Sequence, residues 1–315
     1  MKRRRGAGKG TSRPAPGDSN TPSARPALQV LRAPGPRERD ASEDHPARWK
    51  RSHLRTIVIA SGKGGVGKSH LAANLAVALG ARGARVLLVD ADLSQANLDL
   101  LLGVHPRYDL QHVLAGEKTI EEILISDERN VTLVPAASGV PELADLDDYR
   151  REVLLRGLGQ LEGHYDLMLI DTASGVSRQA TSFCLAADDV VVMTTPEMPA
   201  FSDAYGLIKL LQAQGLTRPP HLMVSMANSP EEAEETAHRI RLVARRFLRL
   251  EIDSWGAVPY DPALPRALRR QEPVLTAFPH SPSAAAYRAL AERLWAAAPP
   301  DPSRIAPTTP ERLQA

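Results

Sequence analysis

From Arg55 onward, short apolar runs alternate with longer stretches of helical spacing. Strands are expected at residues 57–60, 86–89, 131–134, 167–170, 190–193, 222–224 and 255–258, where mostly Val, Ile, Leu and Met follow one another without alternation. Runs of that kind suit strands buried on both faces. Between most of them apolar positions recur every three or four residues, which predicts helices over 152–162, 177–187, 203–213, 231–250 and 282–297. The alternation predicts an α/β fold: a doubly wound, mainly parallel sheet flanked by helices on both faces. In such sheets ligands bind beyond the carboxyl ends of the strands.

Composition divides the chain. Residues 1–55 carry 14 Lys or Arg against 5 Asp or Glu, a balance of +9, which leaves 25 against 32, or −7, for the rest of the 315 residues. Residues 1–48 are rich in Pro, Gly, Ser and Arg and have almost no apolar run, so they cannot bury enough surface to offset their ordering entropy. The expected organisation is a disordered basic tail over 1–52, one folded domain over 53–298, and a loose polar tail over 299–315. Basic residues 2–5 resemble the start of a signal peptide, yet no apolar stretch follows them. No run approaches the ~18 apolar residues of a membrane span. A cytoplasmic location is therefore expected. The single Cys184 sits in an apolar helical stretch and reads as a buried structural thiol.

Candidate chemistry begins at Ser61-Gly62-Lys63-Gly64-Gly65-Val66-Gly67-Lys68-Ser69. Gly62, four residues, Gly67, Lys68 and Ser69 fit the phosphate-binding loop, and the flanks agree, with a strand before it and a helix after it. Glycines let the backbone aim several N–H groups at one anion, and the helix adds its positive end. Lys68 then meets the β and γ phosphates, while the Ser69 hydroxyl holds Mg²⁺. His70 closes the segment.

Two later strands also end in carboxylates. The second strand ends in Asp90-Ala91-Asp92, and residues two apart in extended chain share a side. One of the pair suits the Mg²⁺ shell, here assigned to Asp90, and the other, Asp92, suits orientation of the attacking water. Residues 167–170 lead into Asp171-Thr172-Ala173-Ser174-Gly175, the usual form of a second magnesium-binding motif, with Gly175 permitting a switch segment. In either place a carboxylate could instead merely cap the next helix.

The loop with its extra Lys63, the Asp90-Ala91-Asp92-Leu93 segment and Asp171-Thr172-Ala173 together resemble the deviant-Walker ATPases of the MinD/ParA superfamily. Residues 92–103, 108–117, 194–197, 203–209 and 258–262 resemble its flagellar branch, the FlhG/FleN type that regulates flagellar number and placement. The likeness spans about residues 55–295. It implies ATP/ADP and Mg²⁺ as cofactors, slow hydrolysis, and an ATP-dependent homodimer in which Lys63 reaches the partner subunit's phosphates. Lys63, Lys68 and Asp92 are the implied catalytic residues, and Ser69, Asp90 and Asp171 the metal set. Nucleotide contacts are implied for Gly62, Lys63, Gly64, Gly65, Val66, Gly67, Lys68, Ser69 and His70, and, around adenine, for Ser225, Pro259, Tyr260 and Asp261. Relatives carry an asparagine where this chain has Ser225, which leaves base reading to the smaller group or to Asn228.

The resemblance also names partners: a flagellar GTPase, switch-complex proteins or a transcription regulator, with membrane or pole association. Residues 27–32 lack the Asp-Gln pair of the relatives' GTPase-activating segment, and the chain after Trp295 lacks an amphipathic membrane helix. A ParA-type partitioning ATPase that binds nonspecific DNA is the alternative, because Arg239, Arg241, Arg245, Arg246 and Arg249 share one helix. Acids at the start of that helix and bases at its end also fit a purely structural face. A further alternative is a nucleotide-loaded binding module that acts on a regulator without hydrolysis.

Overall fold

The computed structural model describes residues 54–93, 95–137, 147–161 and 163–297. The expected tails at 1–52 and 299–315, the segment 27–32 and the basic start lie outside the described residues. Eight strands form one sheet: β1 (Arg55–Ala60), β2 (Val86–Ala91), β3 (Ile125–Ser126), β4 (Val131–Val134), β5 (Leu167–Thr172), β6 (Asp189–Thr194), β7 (His221–Ala227) and β8 (Ser254–Pro259). Their order is β3-β4-β2-β5-β1-β6-β7-β8, and all neighbours are parallel except β3 with β4.

The helices are α1 (Lys68–Gly80), α2 (Leu98–Leu102), α3 (Leu110–Leu114), α4 (Asp148–Gln160), α5 (Arg178–Ala186), α6 (Met198–Ala213), α7 (Pro230–Val243), α8 (Ala263–Arg269), α9 (Val274–Ala277) and α10 (Pro282–Ala297). They cover both faces of the sheet, the doubly wound arrangement expected from the alternation. Alternate residues of each central strand enter opposite cores. On one face Val58, Leu87, Ile170 and Val192 meet Leu154, Phe183, Leu207 and Ile240 of α4 to α7. On the other Ile57, Leu88, Leu169 and Val191 meet Leu71, Leu75, Leu98 and Leu290 of α1, α2 and α10.

Each large apolar side chain so buried contributes about 1.5–3 kcal/mol. These two layers therefore fix the strand order that positions the loops. Cys184 is fully buried on α5, and burial pushes its thiol up to about 12. α10 buries Tyr287, Leu290 and Leu294 in the second core. Among the described residues no helix is long and apolar enough to cross a membrane.

Candidate functional site

β1 delivers the chain into a loop that needs glycine for two different reasons. Gly65 and Gly67 adopt φ of 78° and 91°, left-handed values that a side chain would strain. At Gly62 the constraint is space, because a Cβ there would overlap the backbone of Asp203 on α6. α1 begins at Lys68, so its unpaired N–H groups and positive end point back into the loop. The loop is also tied to two strands. Ser225 on β7 donates to the Val66 carbonyl at 2.6 Å, and Gly175 after β5 donates its N–H to the Ser61 carbonyl at 2.8 Å. Its shape is built before any ligand arrives.

The register of β2 and β5 sets Asp90 beside Asp171. Both carboxylates are 1% exposed, but they are spent differently. Asp171 accepts from the Ser69 hydroxyl, while its Oδ1 is buried without a partner. Burial pushes Asp171 up to about 7 against the Ser69 hydrogen bond and the Lys68 charge, with Asp92 adding to the rise. An unpartnered carboxylate oxygen next to a serine hydroxyl is a set of hard oxygen donors, and it fits a magnesium ion.

Asp90, expected in the Mg²⁺ shell, has both carboxylate oxygens engaged by backbone N–H groups. Its Oδ1 accepts from the Asp92 N–H at 3.2 Å, and its Oδ2 accepts from the N–H groups of Asn97 and Leu98, each at 3.1 Å. Burial and the neighbouring Asp171 raise its pKa well above the usual range. Asp90 shapes the loop that carries Asp92. Asp92 itself lines the cavity, and its Oδ1 accepts from the Gln95 N–H at 3.0 Å.

A cavity of about 540 Å³ joins these parts, and it is lined by Gly64 to His70, Asp92, Ser174, Ser225, Pro259, Tyr260 and Asp261, among others. Lys68 is buried at 7% exposure at its floor. His70 lines the wall, where burial holds its imidazole below the usual pKa. Gly62 and Lys63 are not among the lining residues, and the Lys63 ammonium lies 2.6 Å from Glu197.

Asp261, expected beside adenine, lines the cavity with a committed carboxylate. Its Oδ1 accepts from the Ala263 N–H at 2.8 Å, and its Oδ2 from the Ser283 N–H and hydroxyl at 2.9 and 2.6 Å. It braces α8 and the start of α10. Asn228 gives its Nδ2 to Glu232 at 3.1 Å. The sequence placed Glu197 and Asp203 only within stretches of family likeness and gave no role to Leu264 and Leu268, since each meets the site only through the fold.

Comparison with known proteins follows the same outline. The AAA_31 family, described as an AAA domain, matches residues 54–218. The antiactivator FleN of Pseudomonas aeruginosa is 36% identical over 242 residues, covering 76% of this chain and 86% of that one. The flagellum site-determining protein YlxH of Helicobacter pylori is 33% identical over 230 residues, covering 70% of this chain and 75% of its own length. Among solved structures, the septum site-determining protein MinD of Pyrococcus horikoshii, complexed with Mg-ADP, superposes with a TM-score of 0.66 at 30% identity, covering 76% of this chain and 96% of that one.

Proposed function

The chain belongs to the MinD/ParA superfamily of P-loop ATPases, and on that premise we propose that it is an ATP-dependent dimerising switch that regulates flagellar number or placement. The observation that carries this reading is the unpartnered, buried Asp171 oxygen beside Ser69 and Lys68, where α1 leaves a glycine loop with an additional lysine. Its likeness to FleN and YlxH supports the flagellar assignment.

In this reading the loop N–H groups and Lys68 bind the ATP phosphates, while Ser69 and Asp171 hold Mg²⁺. The bound metal neutralises charge on the phosphates. Asp92 orients the attacking water, and Lys63 contacts the nucleotide of a second subunit. Such a dimer exposes one surface with ATP and loses it after slow hydrolysis, which makes the chemistry a timer. Residues 53–298 act as the switch, flanked by accessory tails at 1–52 and 299–315, and the cytoplasmic protein associates with the pole or membrane through partners. A flagellar GTPase, switch-complex proteins and a transcription regulator are the candidate partners.

The partitioning alternative loses weight at its arginine helix. Arg241 pairs with Glu234 at 2.5 Å, and Arg245 pairs with Glu251 at 2.6 Å. Arg239 lies over Phe201 and Arg246 over Phe247. The test is a deletion strain in which flagella are counted by electron microscopy and chromosome loss is scored in the same cells. Altered flagellar number or placement with normal segregation is expected. Normal flagella with segregation defects would overturn the flagellar reading in favour of partitioning.

A further inference from the structure

Three loops follow the carboxyl ends of β5, β1 and β6, which are neighbours in that order across the sheet. The glycine loop after β1 stands in the middle and touches both of the others. On the β5 side the Gly175 N–H donates to the Ser61 carbonyl, and a Cβ on Gly64 would lie 3.4 Å from Ser174 Oγ. On the β6 side Gly62 lies against the backbone of Asp203. The two flanks carry opposite charge. The β5 flank presents Val176, 56% exposed, and Arg178, the exposed first residue of α5. The β6 flank presents Met198, also 56% exposed, and the exposed Asp203 of α6.

Among the described residues, neither the Arg178 guanidinium nor the Asp203 carboxylate has a hydrogen bond, ion pair or ring contact. Arg178 also stands at the positive end of α5, where a helix favours an acid over a base. A two-fold dimer mates one patch with itself, so that residue i of one copy meets residue j of the other and j meets i. Lys63, between the flanks, reaches a second subunit's nucleotide only when the two glycine loops meet near the axis. Two orientations of that axis bring the loops face to face. An axis along the strand order sets each flank against its own copy, Arg178 against Arg178. An axis normal to the sheet sets each flank against the opposite one, and complementary charge selects it, because like charges across an interface oppose association. We propose that in the ATP-loaded dimer Arg178 of each copy pairs with Asp203 of the partner subunit, while Val176 packs on Met198 of the partner subunit. The inference rests on the dimerising reading of the same loop and specifies how the two copies face each other.

Charge reversal in the full-length protein tests it, with analytical ultracentrifugation in MgATP as the readout. Arg178→Glu and Asp203→Arg, each alone, set two like-charged pairs across the axis, and each is expected to weaken the dimer by about tenfold or more. Mixed in equal amounts, the two variants regain opposite charge at both contacts, and the mixture is expected to dimerise within about threefold of the parent. The double variant R178E/D203R regains it within one chain and is expected to do the same. Both positions are exposed, so each variant is expected to bind ATP as the parent monomer does. Should either fail to, Arg178→Asp mixed with Asp203→Lys repeats the measurement. Single variants that dimerise as the parent does, or that gain nothing on mixing, overturn the proposal. Recovery in the double variant without recovery in the mixture would put the pair inside one subunit and overturn it as well. A parent that stays monomeric in MgATP removes the dimer reading beneath it instead.

Discussion

The Lys63 ammonium lies 2.6 Å from Glu197 Oε2, joining the loop after β1 to the residue that precedes α6, 134 positions later. An ammonium has three donors, so two remain for a phosphate. Holding a four-carbon stem in one place lowers the entropy lost when Lys63 engages a partner. With side-chain exposures of 37% and 67%, the pair is worth no more than about 1 kcal/mol. Glu197→Gln is therefore expected to weaken ATP-driven dimers by about two- to fivefold, a range set by that bound, with monomer affinity for ATP unchanged. Analytical ultracentrifugation with ATP reads the first and calorimetry the second. A loss of ATP affinity with intact dimers would assign Glu197 to the nucleotide site instead.

Asp171 ties stability to pH. The folded chain keeps its proton up to about 7 rather than the ordinary 3.8, so the stability it confers falls as pH rises between those values. Asp171→Asn is expected to flatten the pH dependence of Tm over that window and to raise the Tm of the metal-free protein at pH 8 by a few degrees. The same variant is expected to lose the Mg²⁺-dependent thermal shift. A variant that kept this shift would exclude Asp171 from the metal set.

In the proposed reading Asp92 orients the attacking water. Asp92→Ala is expected to keep ATP binding and ATP-dependent dimers while phosphate release falls by about 10²-fold or more. Release unchanged in single-turnover assays would show that another group orients the water.

Asp261 behaves as a brace. Burial alone would raise its pKa, but hydrogen bonds from Ser283, Ala263 and Ser281 outweigh burial and hold it below the usual value. A depressed carboxylate confers stability at neutral pH that is lost as pH falls through its folded pKa. Asp261→Ala strands three buried donors, and a cost of about 2–4 kcal/mol is expected in urea unfolding at pH 7, shrinking in acid. If ATP affinity dropped while stability held, Asp261 would be a base contact rather than a brace.

The sheet was legible because its central strands are buried on both faces and read as unbroken apolar runs, and 131–134 matches β4. The two-residue β3 was not, since Ile125 and Ser126 pair only through a short antiparallel edge. The glycine loop was legible from spacing. Its supports were not: Ser225 meets Val66 across 159 positions, and no local signal marks that bond. Nor were the ties of Asp90, because the backbone N–H groups of residues 92, 97 and 98 converge on it only in the folded loop.

The helix expected over 231–250 runs as α7 over Pro230–Val243 and then as a π turn. Carried on at 3.6 residues per turn from Ala233, Ala237, Ile240 and Ala244, its buried stripe would include Phe247. A π turn over Ala244–Leu248 adds a residue to that turn, seats Leu248 against the core and leaves Phe247 65% exposed.

The central claim, that the additional lysine makes a nucleotide loop into a dimerising switch, is tested most directly on Lys63→Ala by size-exclusion chromatography with light scattering in MgATP. The variant is expected to bind ATP as the parent does and to elute at monomer mass where the parent elutes as a dimer. ATP-dependent dimers that persist in Lys63→Ala would contradict the account.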